Sequence, residues 1–325
     1  MQLLPAIASG QPTLNTIHHC DALTLLKALP DNSIDCCVTS PPYFGLRNYG
    51  VDGQIGLEKT PAEYVQTLVT LFREVRRVLK DSGTFFLNLG DSYATSQKGS
   101  GGASNKQMSN VGSFYNETRR LTYNMPEKNL LLIPHRVAIA LQDDGWIVRQ
   151  DNVWHKPNPM PESVTDRTTR AHEYVFQFAK SARYYYNAEA VKEKAVGVTG
   201  GGFSTNYHNE QRKAISGGKP SSDLAGVSFL HRNKRSVWTI NPANFRDAHF
   251  ATFPLELPEI CIRAGCPRGG VVLDPFMGSG TVALVARAEG CDYIGSELNS
   301  EYITIARKRL AVPYTVNMFL EEQTA

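Results

Sequence analysis

Val271-Val272-Leu273-Asp274-Pro275-Phe276-Met277-Gly278-Ser279-Gly280-Thr281 sets an apolar strand, a glycine turn and the start of a helix in immediate succession. Open α/β sheets receive nucleotides at such turns, because glycine lets the backbone come close to a ligand. Gly278 and Gly280 are the two permissive positions. Strand Tyr293 to Ser296 follows the helix Thr281 to Glu289, and Glu297 at its end is placed to accept hydrogen bonds from ribose hydroxyls. The third glycine and the Lys-Ser/Thr ending are missing, which speaks against a dinucleotide pyrophosphate and against a P-loop. A ligand without phosphates fits better.

The rest of the chain keeps the same rhythm. Thr16 to Cys20 and Ser33 to Thr39 are β-prone runs separated by Ala22 to Leu29, whose apolar residues fall at helical spacing. Thr60-Pro61-Ala62-Glu63 opens a helix that Ser82-Gly83 is expected to end, with Leu68, Leu71, Phe72, Val75 and Leu79 along one face. Thr84 to Leu89 reads as a strand, Asn129 to Leu141 as a helix, and Ile147 to Trp154 and Glu173 to Ala179 as strands. Phe253 to Ala264 and Ser300 to Leu310 read as helices. Strands alternating with helices imply a mostly parallel sheet covered on both faces. Two segments break the pattern: 96–112, rich in Gly, Ser, Asn and Lys, is expected to be a flexible loop, and Val198 to Gly226 repeats that composition.

Composition sets outer bounds. With 325 residues, 42% apolar and 20% charged, the chain can bury a full core. A net charge of +3 permits a polyanionic partner without demanding one. The six cysteines form no CxxC pair, so reduced thiols and no metal are expected. Residues 1–11 lack a basic start with a long apolar run, and no segment reaches eighteen consecutive apolar residues, so a cytoplasmic protein with no membrane partner is expected.

A second site lies at Ser40-Pro41-Pro42-Tyr43, directly after the strand that ends at Thr39. Two prolines forbid further ladder pairing, and the carboxyl end of a strand is where such sheets hold ligands. The aromatic residue that follows suggests a stacking platform.

Together the two motifs resemble those of the amino-methylating DNA methyltransferases: a Ser/Asp/Asn-Pro-Pro-Tyr/Phe tetrapeptide paired with an Asp-Pro-Phe-x-Gly-x-Gly-Thr turn. Tetrapeptide first and glycine turn last is the order of the family's β group. Further matches are Cys20-Asp21-Ala22, Gly83 to Asn88, His172 to Phe176 with Lys180, and His249 to Pro254. The resemblance implies a Rossmann-like class I methyltransferase sheet, circularly permuted, with an inserted target-recognition region. It divides the chain into a catalytic half (1–186), the recognition region (187–247) and a cofactor-binding half (248–325).

The resemblance also implies roles. S-adenosylmethionine would be held by Asp274, Phe276, Gly278, Ser279, Gly280 and Thr281, with Glu297 on its ribose, Asp21 on its adenine amino group, and Phe250 and Phe253 near its methionine end. Ser40, Pro41, Pro42 and Tyr43 would carry transfer to the exocyclic amino nitrogen of a base flipped from double-stranded DNA. Arg212, Lys213, His231, Arg232, Lys234 and Arg235 would meet the DNA. Serine at the head of the tetrapeptide resembles the cytosine-N4 pattern, with adenine N6 as the alternative. A homodimer and a cognate restriction endonuclease are the further partners such a protein implies. Two other readings stay open on sequence alone: an RNA or protein amino-methyltransferase, and a catalytically silent DNA-binding module.

Overall fold

A computed structural model of the protein describes residues 12–46, 49–94, 125–194, 231–242 and 253–312. Phe250, Arg212 and Lys213, the whole of the expected loop 96–112 and all of Val198 to Gly226 lie outside them. The chain divides into two units: Met1–Asn187 with Ser236–Ala325, and Ala188–Arg235.

The larger unit is built on one sheet. Its elements are β1 (Thr16–His19), α1 (Ala22–Ala28), β2 (Ile34–Thr39), α2 (Pro61–Val78), β3 (Leu79–Leu89), α3 (Ile133–Asp143), β4 (Ile147–His155) and β5 (His172–Ala179). The smaller unit contributes the two-residue strands β6 (Glu193–Lys194) and β7 (His231–Arg232). The larger unit resumes with β8 (Val237–Thr239), α4 (Glu256–Gly265), β9 (Val271–Asp274), α5 (Thr281–Ala288), β10 (Asp292–Glu297) and α6 (Ser300–Ala311).

The sheet order is β1-β10-β9-β2-β3-β5-β4-β8. From β1 through β3 every pairing is parallel, and β5 is antiparallel to both β3 and β4. From the β2–β9 pair the chain steps outward in opposite directions, to β3 on one side and to β10 and β1 on the other. That divergence is the switch point at which an open sheet leaves a crevice beyond its strand tips.

All six residues of β2 are buried, as a central parallel strand covered on both faces requires. On one face Cys37 joins a core with Leu26, Phe72, Phe85 and Phe178. There Phe85 lies 4.9 Å from Phe72, 5.2 Å from Trp146 and 5.3 Å from Phe178 between ring centroids. On the other face Gly265 of α4 sits so close to β3 that an added Cβ would lie 2.3 Å from Thr84 Oγ1. The same close approach lets Thr84 Oγ1 donate to the Gly265 carbonyl at 2.9 Å.

Helix α2 starts as the sequence predicts: Thr60 Oγ1 accepts from the Glu63 amide at 3.1 Å, and Pro61 occupies the first turn. It buries Tyr64, Leu68, Leu71, Phe72 and Val75, worth roughly 1.5–3 kcal/mol for each large apolar side chain. Three boundaries differ by several residues from the sequence reading, and one strand is additional to it. Helix α2 ends at Val78, and β3 begins at once at Leu79, because Leu79 pairs with Ile34 before the register shifts between Ile34 and Cys36. Helix α3 starts at Ile133 rather than Asn129, since Leu132 takes a left-handed φ of 55° and Pro134 falls in the first turn. Helix α4 starts at Glu256, after the stretch containing Pro254. Strand β8 lies inside the segment expected for target recognition, yet it pairs in parallel with β4 and buries Trp238.

In the smaller unit Glu193 Oε1 accepts from Arg232 Nε at 2.8 Å and from Arg235 Nε at 2.6 Å. One carboxylate thus collects two of the four basic residues described there as candidate DNA contacts.

Candidate active site

The tips of β2 and β9 stand side by side, with Cys36 opposite Val272 and Cys37 opposite Leu273. Beyond that register Thr39 Oγ1 donates to Asp274 Oδ1 at 2.5 Å, although 235 positions separate them in the chain. This bridge joins the last residue of the strand before the tetrapeptide to the first residue of the glycine turn. A cavity of about 800 Å³ opens beyond it.

On the β9 side both carboxylates accept from main-chain amides. Asp274 is buried, and its Oδ1 also accepts from the Phe276 amide at 3.0 Å. Burial pushes its carboxyl up to about 7, against the lowering effect of those two donors. Glu297 Oε2 accepts from the Gly278 amide and Oε1 from the Asn299 amide, both at 2.8 Å. Burial raises this carboxyl as well. The turn is laced to β10 by Met277 N to Ser296 O and by Ser296 Oγ to Pro275 O, both at 2.9 Å.

Gly278 has φ +53°, and an added Cβ there would meet only the Phe276 carbonyl, at 3.9 Å. Its outer side is open to a ligand. Gly280, with φ +81°, instead packs on α6, where a Cβ would lie 2.9 Å from that of Ala306. The second glycine therefore serves helix packing. Arg309, which the sequence reading did not single out, braces the turn through Ser279 Oγ at 2.7 Å and Thr281 Oγ1 at 3.1 Å. Its position on the last turn of α6 carries no motif, so no signal was available to find it.

Asp21 caps α1, its Oδ1 accepting from the Thr24 amide at 2.9 Å, and it also lines the cavity. Phe253, Phe276, Gly278, Ser279, Thr281 and Glu297 line it too; Asp274 and Gly280 do not. Asp274 lies beneath the turn and shapes it rather than facing the space.

On the β2 side the polar groups are side chains facing one another. Ser40, Pro41, Pro42 and Tyr43 all line the cavity. The Pro42 carbonyl accepts from Tyr64 Oη at 2.8 Å, which fixes the diproline turn onto α2. Tyr43 seats its ring over Gly90, where a Cβ would come within 2.6 Å of the ring. Its hydroxyl donates to Glu173 Oε2 at 2.8 Å and lies 3.1 Å from Asn88 Oδ1. Ser40 Oγ lies 3.3 Å from Asn88 Oδ1 and 3.4 Å from Tyr43 Oη. Asn88 Nδ2 donates to the Tyr174 carbonyl at 3.1 Å and to Glu173 Oε2 at 3.2 Å. Lys156 pairs with Glu173 Oε1 and stands 4.2 Å from the centre of the Trp154 ring. Burial, then the Glu173 charge, hold the Tyr43 phenol well above its ordinary range, so it remains a donor. In the sequence Asn88 and Glu173 stand out only as parts of family matches, and Lys156 belongs to neither motif; what marks all three is their place at strand ends beside the tetrapeptide.

Comparison with known proteins gives this geometry its class. A model of the DNA methylase family, the N6 and N4 amino-methylating enzymes, matches residues 34–308, and the chain belongs to that family. It is 45% identical over 296 residues to the type II methyltransferase M.XycI of Xanthomonas campestris pv. cyanopsidis, covering 91% of this chain and 87% of that one. It is 44% identical to M.Cfr9I of Citrobacter freundii, with the same two coverages. Among solved structures, the cytosine-N4-specific PvuII DNA methyltransferase shares the fold with a TM-score of 0.61 at 21% identity, covering 97% of this chain and 93% of that one. A putative DNA modification methylase of Thermus thermophilus, solved with S-adenosyl-L-methionine, shares it with a TM-score of 0.56 at 23% identity, covering 91% and 92%. The protein is a DNA methyltransferase of the amino-methylating family. Among the described residues no helix is long and apolar enough to cross a membrane.

Proposed function

We propose that the protein methylates the exocyclic N4 of a cytosine flipped out of duplex DNA, at the cavity between the tips of β2 and β9. The observation that carries this reading is the Thr39–Asp274 hydrogen bond, which ties the tetrapeptide and the glycine turn to one cavity. S-adenosylmethionine supplies an electrophilic sulfonium methyl carbon.

The residues present fit that donor. Gly278 leaves its cavity side free of atoms, Glu297 beside it can accept from ribose hydroxyls, and Asp21 at the rim can accept from an adenine amino group. Ser279, Thr281, Phe253 and Phe276 complete that half of the wall. On the other half Ser40 Oγ and the Pro41 carbonyl accept the two hydrogens of the target amino group. An exocyclic amine is a weak nucleophile because its lone pair is delocalised into the ring. Acceptors that fix its hydrogens favour a geometry in which that pair points at the methyl carbon, so alignment supplies much of the rate. Tyr43 lies against the base and returns part of the few kcal/mol that unstacking costs.

The segment 187–247, or the part of it in the unit Ala188–Arg235, reads the DNA sequence, with His231, Arg232, Lys234 and Arg235 at its described end. Residues 1–186 and 248–325 supply the transfer and cofactor halves. Action in the cytoplasm, a homodimer and a partner endonuclease cutting the same sequence complete the reading; the type II names of the relatives support the last. Incubating the protein with plasmid DNA and methyl-labelled S-adenosylmethionine, then digesting to nucleosides for mass analysis, is the test. N4-methylcytosine is expected; N6-methyladenine overturns the choice of base, and unlabelled DNA overturns the reading.

A further inference from the structure

Glu173 belongs to neither motif, yet the hydroxyls of Ser40 and Tyr43 form a path that ends on it. Ser40 Oγ is within hydrogen-bond reach of Tyr43 Oη at 3.4 Å, and Tyr43 Oη donates to Glu173 Oε2 at 2.8 Å. Asn88 offers Ser40 a second route, at 3.3 Å, but a neutral amide has no basic site of useful strength. Glu173 Oε1 is taken by Lys156, which leaves Oε2 as the oxygen aimed at the tetrapeptide. The Glu173 side chain keeps 16% of its surface exposed, so what it receives can pass on to water.

We propose that Glu173 is a positioning residue for methyl transfer that also takes up the proton released by the target amine, through the hydroxyls of Ser40 and Tyr43. This rests on the target-base reading above. The amino nitrogen's lone pair forms the new N–C bond while the electron pair of the breaking C–S bond stays on sulfur, leaving the nitrogen positive. One N–H proton then moves to Ser40 Oγ, the Ser40 hydroxyl proton to Tyr43 Oη, and the Tyr43 hydroxyl proton to Glu173 Oε2. Sulfonium and carboxylate charges are both cancelled, and the base ends neutral. The side chains are already in line, though a contact of 3.4 Å must shorten when substrate binds.

Positioning is the other half of the role. Tyr43 is held by its ring over Gly90 and by its hydroxyl on Glu173, so the carboxylate fixes the plane against which a base lies.

The test uses the full chain, plasmid DNA and S-adenosylmethionine under single-turnover conditions. Glu173→Ala is expected to slow transfer about 100-fold, at the low end of general acid–base effects, while cofactor affinity by calorimetry stays within about twofold. Added formate is expected to restore at least about tenfold of the loss, because it can occupy the vacated carboxylate position. Tyr43→Phe is expected to slow transfer about 30-fold, with Tyr43→Phe/Glu173→Ala no slower than Glu173→Ala alone, since both interrupt one path. Normal turnover in Glu173→Ala, losses that multiply in the double variant, or no response to formate would each overturn the proposal. Should Glu173→Ala fail to fold, Tyr43→Phe with Glu173→Gln carries the same double-variant test. Failure here leaves wild-type labelling of DNA intact, whereas failure of the underlying reading removes it.

Discussion

The two strand tips that meet at the cavity solve opposite problems. At the tip of β9 the carboxylates of Asp274 and Glu297 accept from backbone amides, and the surface left for a ligand is a glycine turn. At the tip of β2 the hydroxyls of Ser40 and Tyr43 and the side chains of Asn88 and Glu173 accept from and donate to one another. The first is a cradle whose shape is set by main chain; the second is a chemical surface whose function is set by side-chain atoms. Substitutions on the two sides should therefore fail differently, one losing affinity and the other losing rate.

The largest expected effect is Gly278→Asp, which strains a φ of +53° and places a second carboxylate beside Glu297. Cofactor affinity should fall about 1,000-fold, or roughly 4 kcal/mol; calorimetric binding at the wild-type level would break the comparison. Next comes Tyr43→Ala, expected to cut single-turnover methyl transfer about 100-fold, roughly 2.7 kcal/mol, with cofactor affinity within about twofold. A matching loss of affinity would merge the two tips into one site.

A third effect concerns pH. The Asp274 carboxyl is raised by burial to about 7, so its contribution to stability is fully present below its unfolded value near 4 and is lost as pH rises toward 7. The shift corresponds to a ceiling of roughly 4 kcal/mol, of which about half is expected once the protein relaxes around the charge. Asp274→Asn should flatten the dependence of unfolding free energy on pH between about 4 and 7, measured in urea without cofactor. An unchanged slope would show that the carboxylate is solvated. Smallest is Asn88→Ala, which should slow transfer about tenfold, roughly 1.4 kcal/mol, and leave cofactor affinity alone. It sharpens the contrast by separating an amide that orients hydroxyls from the groups that meet substrate.

Much of this was legible in the residues. The apolar run Val271 to Leu273, the glycine turn and the helix after it are local signals, and each stands where the sequence put it. The all-buried β2 and its diproline stop were equally local. What the sequence could not show was set by partners distant in the chain. Leu79 is helical by periodicity but becomes strand because Ile34 pairs with it. Val237–Thr239 is too short to announce itself and exists by pairing with β4. Among candidate site residues, Asp274 and Gly280 carry a family motif yet face away from the cavity, one binding Thr39 and the other packing on Ala306. Conversely Arg309 carries no motif and braces the turn.

The β2–β9 pairing has a consequence for biosynthesis. Strand β2 leaves the ribosome early, but the neighbour that covers one of its edges comes about 235 residues later. At 5–20 residues per second that is a wait of roughly 12–47 s. Throughout it a strand that the folded protein buries completely presents unsatisfied amides and carbonyls along that edge, the kind of template that recruits foreign chains. Chaperone dependence and yield at high expression should thus track translation speed over the intervening stretch more than the stability of the finished protein.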